Sequence, residues 1–225
     1  MNASTAAADI RRRIAEVRER IEAAADRAGR PASEVTLIAV TKTWPAEAVK
    51  LAFDAGVADF GENRVQEGCA KADAFAEPRV RWHLIGHLQT NKVRAALNCF
   101  AILHAVDSER LLRAISAAAG RPTPLMIEVN VAQEPSKFGI APGELSALLG
   151  VARSLPNVDV RGLMTVAPHV TDPEESRPVF RALRELARQH ELTELSMGMT
   201  NDFEVAIEEG ATCVRVGRAI FGDRS

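Results

Sequence analysis

Lys42 closes the apolar run Thr36-Leu37-Ile38-Ala39-Val40-Thr41-Lys42, where a strand buried on both faces would meet solvent. An amine there loses part of its hydration, and desolvation favours the neutral, nucleophilic form that condenses with an aldehyde. A lysine that only snorkels from a strand end would look the same, so the position gains meaning from what else lies near it. Two stretches toward the C-terminus supply that context: Leu195-Ser196-Met197-Gly198-Met199-Thr200-Asn201-Asp202 and Val214-Arg215-Val216-Gly217-Arg218-Ala219-Ile220-Phe221-Gly222. Each runs from a short apolar segment through glycine into a helix start, so backbone N–H groups and the Ser196 and Thr200 hydroxyls can converge on an anion. Thr200, Asn201 and Asp202 equally suit a helix cap, and the two roles are compatible.

Bringing residue 42 beside residues 196–218 requires a sheet that returns to its first strand. From residue 35 onward, short apolar runs alternate with helix-period stretches, the pattern of repeated βα units. Eight candidate strands fall at 35–41, 58–60, 81–84, 100–103, 124–131, 159–163, 194–196 and 213–216, and eight is the number that closes a barrel. Helix starts are expected at Pro45 for 46–54, at Asp107 for 108–119, at Thr171 with Pro173 and Glu174 for 174–190, and at Asn201 with Glu204 for 202–209. Neither GxGxxG nor a Walker sequence occurs, which argues against an open doubly wound sheet. The expectation is an α/β chain forming a single-domain (β/α)8 TIM barrel over residues 1–225, with residues 1–30 as an amphipathic N-terminal helix ended by Gly29 and Pro31. In that fold the loops after strands seven and eight frequently build a phosphate site. A strand-end lysine opposite such a cradle is the geometry needed to hold pyridoxal 5′-phosphate (PLP) as an internal aldimine.

Composition narrows the alternatives. The 225 residues carry 28 Lys and Arg against 30 Asp and Glu, a net charge of −2 that offers no general attraction to nucleic acid or an anionic membrane. No apolar run of about 18 residues exists, and the polar, acid-containing N-terminus resembles neither a secretory signal nor a transit peptide. Cys69, Cys99 and Cys213 show no short paired spacing, which argues against a disulfide framework or zinc site and suits a reducing cytoplasm. His83 and His87 straddle Gly86, so no metal site is expected from them. His104 is read as a hydrogen-bonded structural histidine ending the fourth strand, and Met126, Met164, Met197 and Met199 as fillers of irregular space near the barrel. Glu128 and Asn130 alternate onto one face of the fifth strand as a polar layer near the barrel top, and Lys137 follows as a second amine able to hold or relay an aldehyde.

Thr41-Lys42-Thr43, the stretch Phe60-Gly61-Glu62-Asn63-Arg64-Val65-Gln66-Glu67, the stretch from Trp82 to Lys92, Ser196-Met197-Gly198-Met199-Thr200 and Arg215-Val216-Gly217 closely resemble the pyridoxal phosphate homeostasis protein family, in order and spacing, from about residue 10 to Gly222. The resemblance implies a barrel like the alanine racemase N-terminal domain, with PLP on Lys42. It implies a cytoplasmic role in vitamin B6 and amino-acid homeostasis without established catalytic turnover. Ser196, Gly198, Thr200, Gly217 and Arg218 then fall on the phosphate-binding loops, Arg215 faces the pyridine nitrogen, and Asn63 contacts the ring or its hydroxyl. Position 218 departs from the family, which usually has a small hydroxyl residue there, and Thr200-Asn201 stands where Ser-Asp is common.

Two functions compete on these residues, beside a third reading, a phosphosugar or tryptophan-pathway barrel enzyme whose lysine would act on a carbonyl substrate. One is a cofactor carrier, monomeric and in transient contact with cofactor-accepting enzymes. The other is a PLP-dependent amino-acid racemase. Two-base racemases of this barrel class pair the lysine with a tyrosine from a partner's additional domain, and the sequence has no tyrosine and no residues to spare for such a domain.

Overall fold

The computed structural model describes residues 3–222; residues 1–2 and 223–225, the ends of the expected domain, lie outside the described residues. Helix α1 (Ala3–Arg27) precedes eight strands, β1 (Thr36–Val40), β2 (Asp59–Glu62), β3 (Arg81–Leu84), β4 (Ile102–Val106), β5 (Thr123–Glu128), β6 (Val158–Met164), β7 (Glu194–Met199) and β8 (Cys213–Val216). Each is followed by a helix: α2 (Ala46–Asp54), α3 (Val65–Ala74), α4 (Val93–Cys99), α5 (Glu109–Ala118), α6 (Leu145–Ser154), α7 (Arg177–Gln189), α8 (Phe203–Glu208) and α9 (Arg218–Phe221). All neighbouring strands pair in parallel, and β8 pairs back onto β1 with Ile38 opposite Arg215, which closes the barrel. That register carries the β1 end to the β8 end, as the sharing of one site requires.

The strands bury both faces, but with different chemistry. Outward residues such as Phe60, Trp82, Leu195, Val214 and Val216 pack under the helices. Inward, Ile38, Ala105, Met126, Met164 and Cys213 form a small apolar plug. Between and above these lie buried polar groups: Asp59, His83, His104, Glu128, Thr165, Ser196 and Arg215. Helix α1 turns Ile10, Ile14, Val17 and Ile21 inward at helical spacing and is tied to α8 by the pairs Arg20–Glu204 and Arg27–Glu208.

Several local expectations need correction. The cap before α7 is Asp172, whose carboxylate accepts from the Glu174 N–H, rather than Thr171. Ser108, not Asp107, caps α5, and Asp202, not Asn201, occupies the N-cap of α8. Helices α3, α4 and α6 have Arg64, Lys92 and Glu144 at their N-caps with no side-chain cap; α6 alone is signalled, by Pro142 and by Glu144, whose carboxylate accepts from the Ala141 N–H in the turn that leads into it. Cys69 and Cys99 form a disulfide between α3 and α4, with Cα atoms 5.3 Å apart. Spacing of 30 residues hid a pair that successive outer helices bring side by side, and the cysteine argument for a reducing compartment loses its support. No helix among the described residues is long and apolar enough to cross a membrane.

Candidate functional site

A cavity of about 500 Å³ opens at the C-terminal end of the barrel. Lys42 and Trp44 from the β1 loop, Asn63 after β2, Ile85 after β3, Thr200 and Asn201 after β7, and Gly217 and Arg218 after β8 all line it, with Arg215 on its floor. The residues Lys42, Asn63, Thr200, Arg215, Gly217 and Arg218 are therefore brought together. Ser196 and Gly198 do not line the cavity. Ser196 sits below it, fully buried, and its hydroxyl oxygen accepts from Arg215 Nη1 at 2.6 Å. Gly198 has φ +90°, and a Cβ there would stand 2.5 Å from the Ala206 Cβ and 2.9 Å from the Phe203 Cα, so it sets how closely the β7 loop packs on α8.

The backbone on both sides of Lys42 is clamped from below. Lys71, on α3, donates to the Thr41 carbonyl (2.6 Å), to Glu62 (2.6 Å) and to Glu67 (2.8 Å). Glu62 also accepts from the Thr41 hydroxyl, and Glu67 from the Thr43 N–H. Thr43 adopts φ +67°, a conformation costly for a β-branched residue that this clamp sustains. Burial pushes the Glu62 carboxyl above its ordinary value against the pull of Lys71 and Thr41. For Glu67, the hydrogen bonds from Lys71 and Thr43 outweigh burial and hold the carboxyl below it. Gly86 lets the β3 loop lie directly against Asn63, since a Cβ would come within 2.5 Å of the Asn63 carbonyl oxygen.

Arg215 is 4% exposed, and its guanidinium is anchored by Ser196 and by the Thr165 carbonyl (2.8 Å). Near it, burial and the Asp107 charge, offset in part by Arg215, push the Glu128 carboxyl up to about 7. The other expected member of a polar layer, Asn130, instead shapes the loop after β5, bonding the Glu134 backbone twice. Lys137 in that loop donates to Glu134 (2.7 Å) and to the carbonyl of Val166, a cavity residue (3.3 Å). At the rim Arg218 donates to Asn201 (3.1 Å). Asp202 spends its carboxylate on the Met199 N–H (2.6 Å) and the Ser176 hydroxyl (3.4 Å), which blunts the repulsion it would offer an anion.

Sequence reasoning missed Trp44, Ile85 and the Pro168-His169-Val170 wall from the β6 loop. It also missed Lys71, whose charge is legible only once Glu62 and Glu67 are known to face it. His104 lies inside β4 rather than at its end, and bonds His83 and Ser196. No group of three potential metal ligands occurs among the described residues.

A closed parallel barrel with a clamped lysine, a floor arginine and two glycine-bearing loops at one mouth defines a class, and the sequence matches the family model described as alanine racemase, N-terminal domain over residues 13–225. A pyridoxal phosphate homeostasis protein of Aquifex aeolicus is 42% identical over 221 residues, covering 94% of this chain and 97% of that one. The chain belongs to the pyridoxal phosphate homeostasis protein family. A crystal structure of an unknown protein from Bifidobacterium adolescentis superposes with a TM-score of 0.91 at 37% identity, covering 98% of both chains. PipY of Synechococcus elongatus, solved with PLP bound, superposes with a TM-score of 0.80 at 39% identity, covering 95% of this chain and all (100%) of that one.

Proposed function

We propose that this chain is a PLP carrier acting in intracellular vitamin B6 and amino-acid homeostasis. The observation that carries the reading is the convergence of Lys42, Arg215 and the β7 and β8 loops on one cavity. The residues fit the group. Lys42 supplies the amine, which condenses with the aldehyde, forming C=N and releasing one water. Thr200, Gly217 and Arg218, with the N–H groups of the β8 loop, take the phosphate. Arg215 presents N–H donors to the ring nitrogen, which keeps that nitrogen an acceptor and makes the ring a weaker electron sink than one paired with a carboxylate. Asn63 faces the ring or its hydroxyl. In this reading Gly198 shapes the phosphate loop by its packing and Ser196 acts by holding Arg215, rather than by touching phosphate.

PLP-bound PipY and the relatives' shared name support the cofactor assignment. The carrier is a cytoplasmic monomer. Its single barrel domain meets cofactor-accepting enzymes transiently. The match to the alanine racemase barrel favours one alternative, racemase-like proton transfer at an amino-acid Cα. The sequence contains no tyrosine to act as the second base. Deuterium exchange at the Cα of alanine, with Lys42→Ala as control, separates the two. The carrier shows PLP absorbance that depends on Lys42 and no Lys42-dependent exchange; exchange at roughly 1 per second or faster would establish the racemase instead.

A further inference from the structure

Below the cavity a line of hydrogen bonds crosses the barrel interior. Asp59 Oδ1 meets His83 Nε2 at 2.8 Å, His83 Nδ1 meets His104 Nε2 at 2.9 Å, His104 Nδ1 meets Ser196 Oγ at 2.9 Å, and Arg215 Nη1 donates to Ser196 Oγ at 2.6 Å. The two imidazoles are 1% and 0% exposed. We infer that Asp59, His83, His104 and Ser196 form a chain of positioning residues with one fixed direction, which locks Arg215 as a donor toward the ring nitrogen of the bound cofactor. The inference rests on the PLP reading of the cavity.

The direction follows from donor and acceptor accounting. Arg81 Nη2 donates to Asp59 Oδ2 at 2.8 Å. Burial raises the Asp59 carboxyl, but the bonds from His83 and Arg81 outweigh it and hold the group below its ordinary value. An ionised carboxylate only accepts, so His83 Nε2 carries a hydrogen. At the other end, Arg215 has no acceptor to offer, so Ser196 Oγ accepts from it. Among the described residues the only acceptor then within reach of the Ser196 hydroxyl hydrogen is His104 Nδ1. Burial, with the Arg215 charge beside it, keeps the His104 pKa well below the ordinary imidazole value, so that ring is neutral and has one donor. Its Nε2–H therefore points to His83 Nδ1. Every hydrogen runs from Ser196 toward Asp59, every group is satisfied, and the Ser196 oxygen is left facing Arg215 with lone pairs. Reversing one link would turn a hydroxyl or N–H hydrogen without an acceptor into this dry interior.

Nitrogen-15 histidine spectroscopy of the ligand-free protein reads the tautomers directly. We expect both His83 and His104 as Nε2–H. An Nδ1–H form at either residue would overturn the chain whatever the cavity binds. The link to the cofactor is read by comparing PLP with its analogue that carries C–H in place of the ring nitrogen. His104→Phe and, as a smaller change, Ser196→Ala should weaken PLP by about tenfold or more while leaving the analogue's affinity unchanged. Equal weakening of both ligands by Ser196→Ala, with His104→Phe unable to fold, would overturn the positioning role, because a general packing defect does not distinguish the ring atom. Failure of the unaltered protein to bind PLP would overturn the cavity reading and its ring contact, and the tautomers would still decide the chain.

Discussion

Replacing Lys71 by methionine should be among the most destabilising single changes at the site. Lys71 is 8% exposed, and Glu62, its closest partner, is fully buried at 0%. Removing the cation strands the Glu62 carboxylate with only the Thr41 hydroxyl, while the Thr41 carbonyl keeps its bond from the Trp44 N–H and Glu67 its bond from the Thr43 N–H. Breaking one side of a buried pair costs about 3–5 kcal/mol, because the remaining charge keeps its desolvation penalty. For a protein of this size each kcal/mol is worth roughly 2–4 °C in Tm, so the midpoint should fall by roughly 6–20 °C. Adding Glu62→Met to Lys71→Met removes the stranded charge and leaves the Thr41 hydroxyl as the main unpaired group, which costs about 1–2 kcal/mol. The double variant should therefore recover most of the loss. Urea unfolding at neutral pH, followed by far-UV circular dichroism, measures all three proteins. A single variant within about 1 kcal/mol of the unaltered protein, or a double variant as unstable as the single, would refute the claim that a buried charge pair holds the Lys42 turn.

Three further outcomes follow from the same geometry. The folded Glu128 carboxyl titrates at about 7 against an ordinary 4.5, so the folded state binds this proton more tightly and stability falls as pH rises from 4.5 to about 7, staying low above that. Glu128→Gln should thus gain up to about 3 kcal/mol at pH 8 and nothing at pH 4 in urea titrations, and a gain independent of pH would contradict this origin. A Cβ at Gly217 would already stand 3.3 Å from the Val40 carbonyl on the cavity wall, so Gly217→Val should weaken PLP far more than unphosphorylated pyridoxal in equilibrium dialysis; equal weakening would point to misfolding. Closing the loop between Cys69 and Cys99, 30 residues apart, should contribute roughly 3–4 kcal/mol, visible as a fall in stability when dithiothreitol is added to the unaltered protein and absent from Cys69→Ser.

The barrel was legible because its strands are short apolar runs at regular intervals, and two of them, 81–84 and 213–216, match the observed limits of β3 and β8. The mouth residues Lys42, Thr200, Gly217 and Arg218 were legible because chemistry in this fold gathers after the strands. The interior was not, Glu128 apart. Trp82-His83-Leu84, Leu195-Ser196-Met197 and Val214-Arg215-Val216 each place one polar residue between two apolar ones, which by strand alternation sends the polar side chain inward. Read together, those three triplets signal a polar barrel lumen, but each alone resembles an ordinary half-exposed strand. Lys71 and the cysteine pair were hidden for another reason. Their partners come from other elements, and a sequence window on one helix carries no trace of the neighbour that closure brings against it.

The central claim is that the amine of Lys42 holds the cofactor at this mouth. Borohydride reduction of protein incubated with PLP, followed by proteolysis and mass mapping, fixes the attachment as a stable secondary amine. The account predicts the reduced label on the peptide containing Lys42, and loss of both label and visible absorbance in Lys42→Ala. Label on Lys137 or another lysine, with Lys42→Ala retaining the spectrum of the unaltered protein, would contradict it.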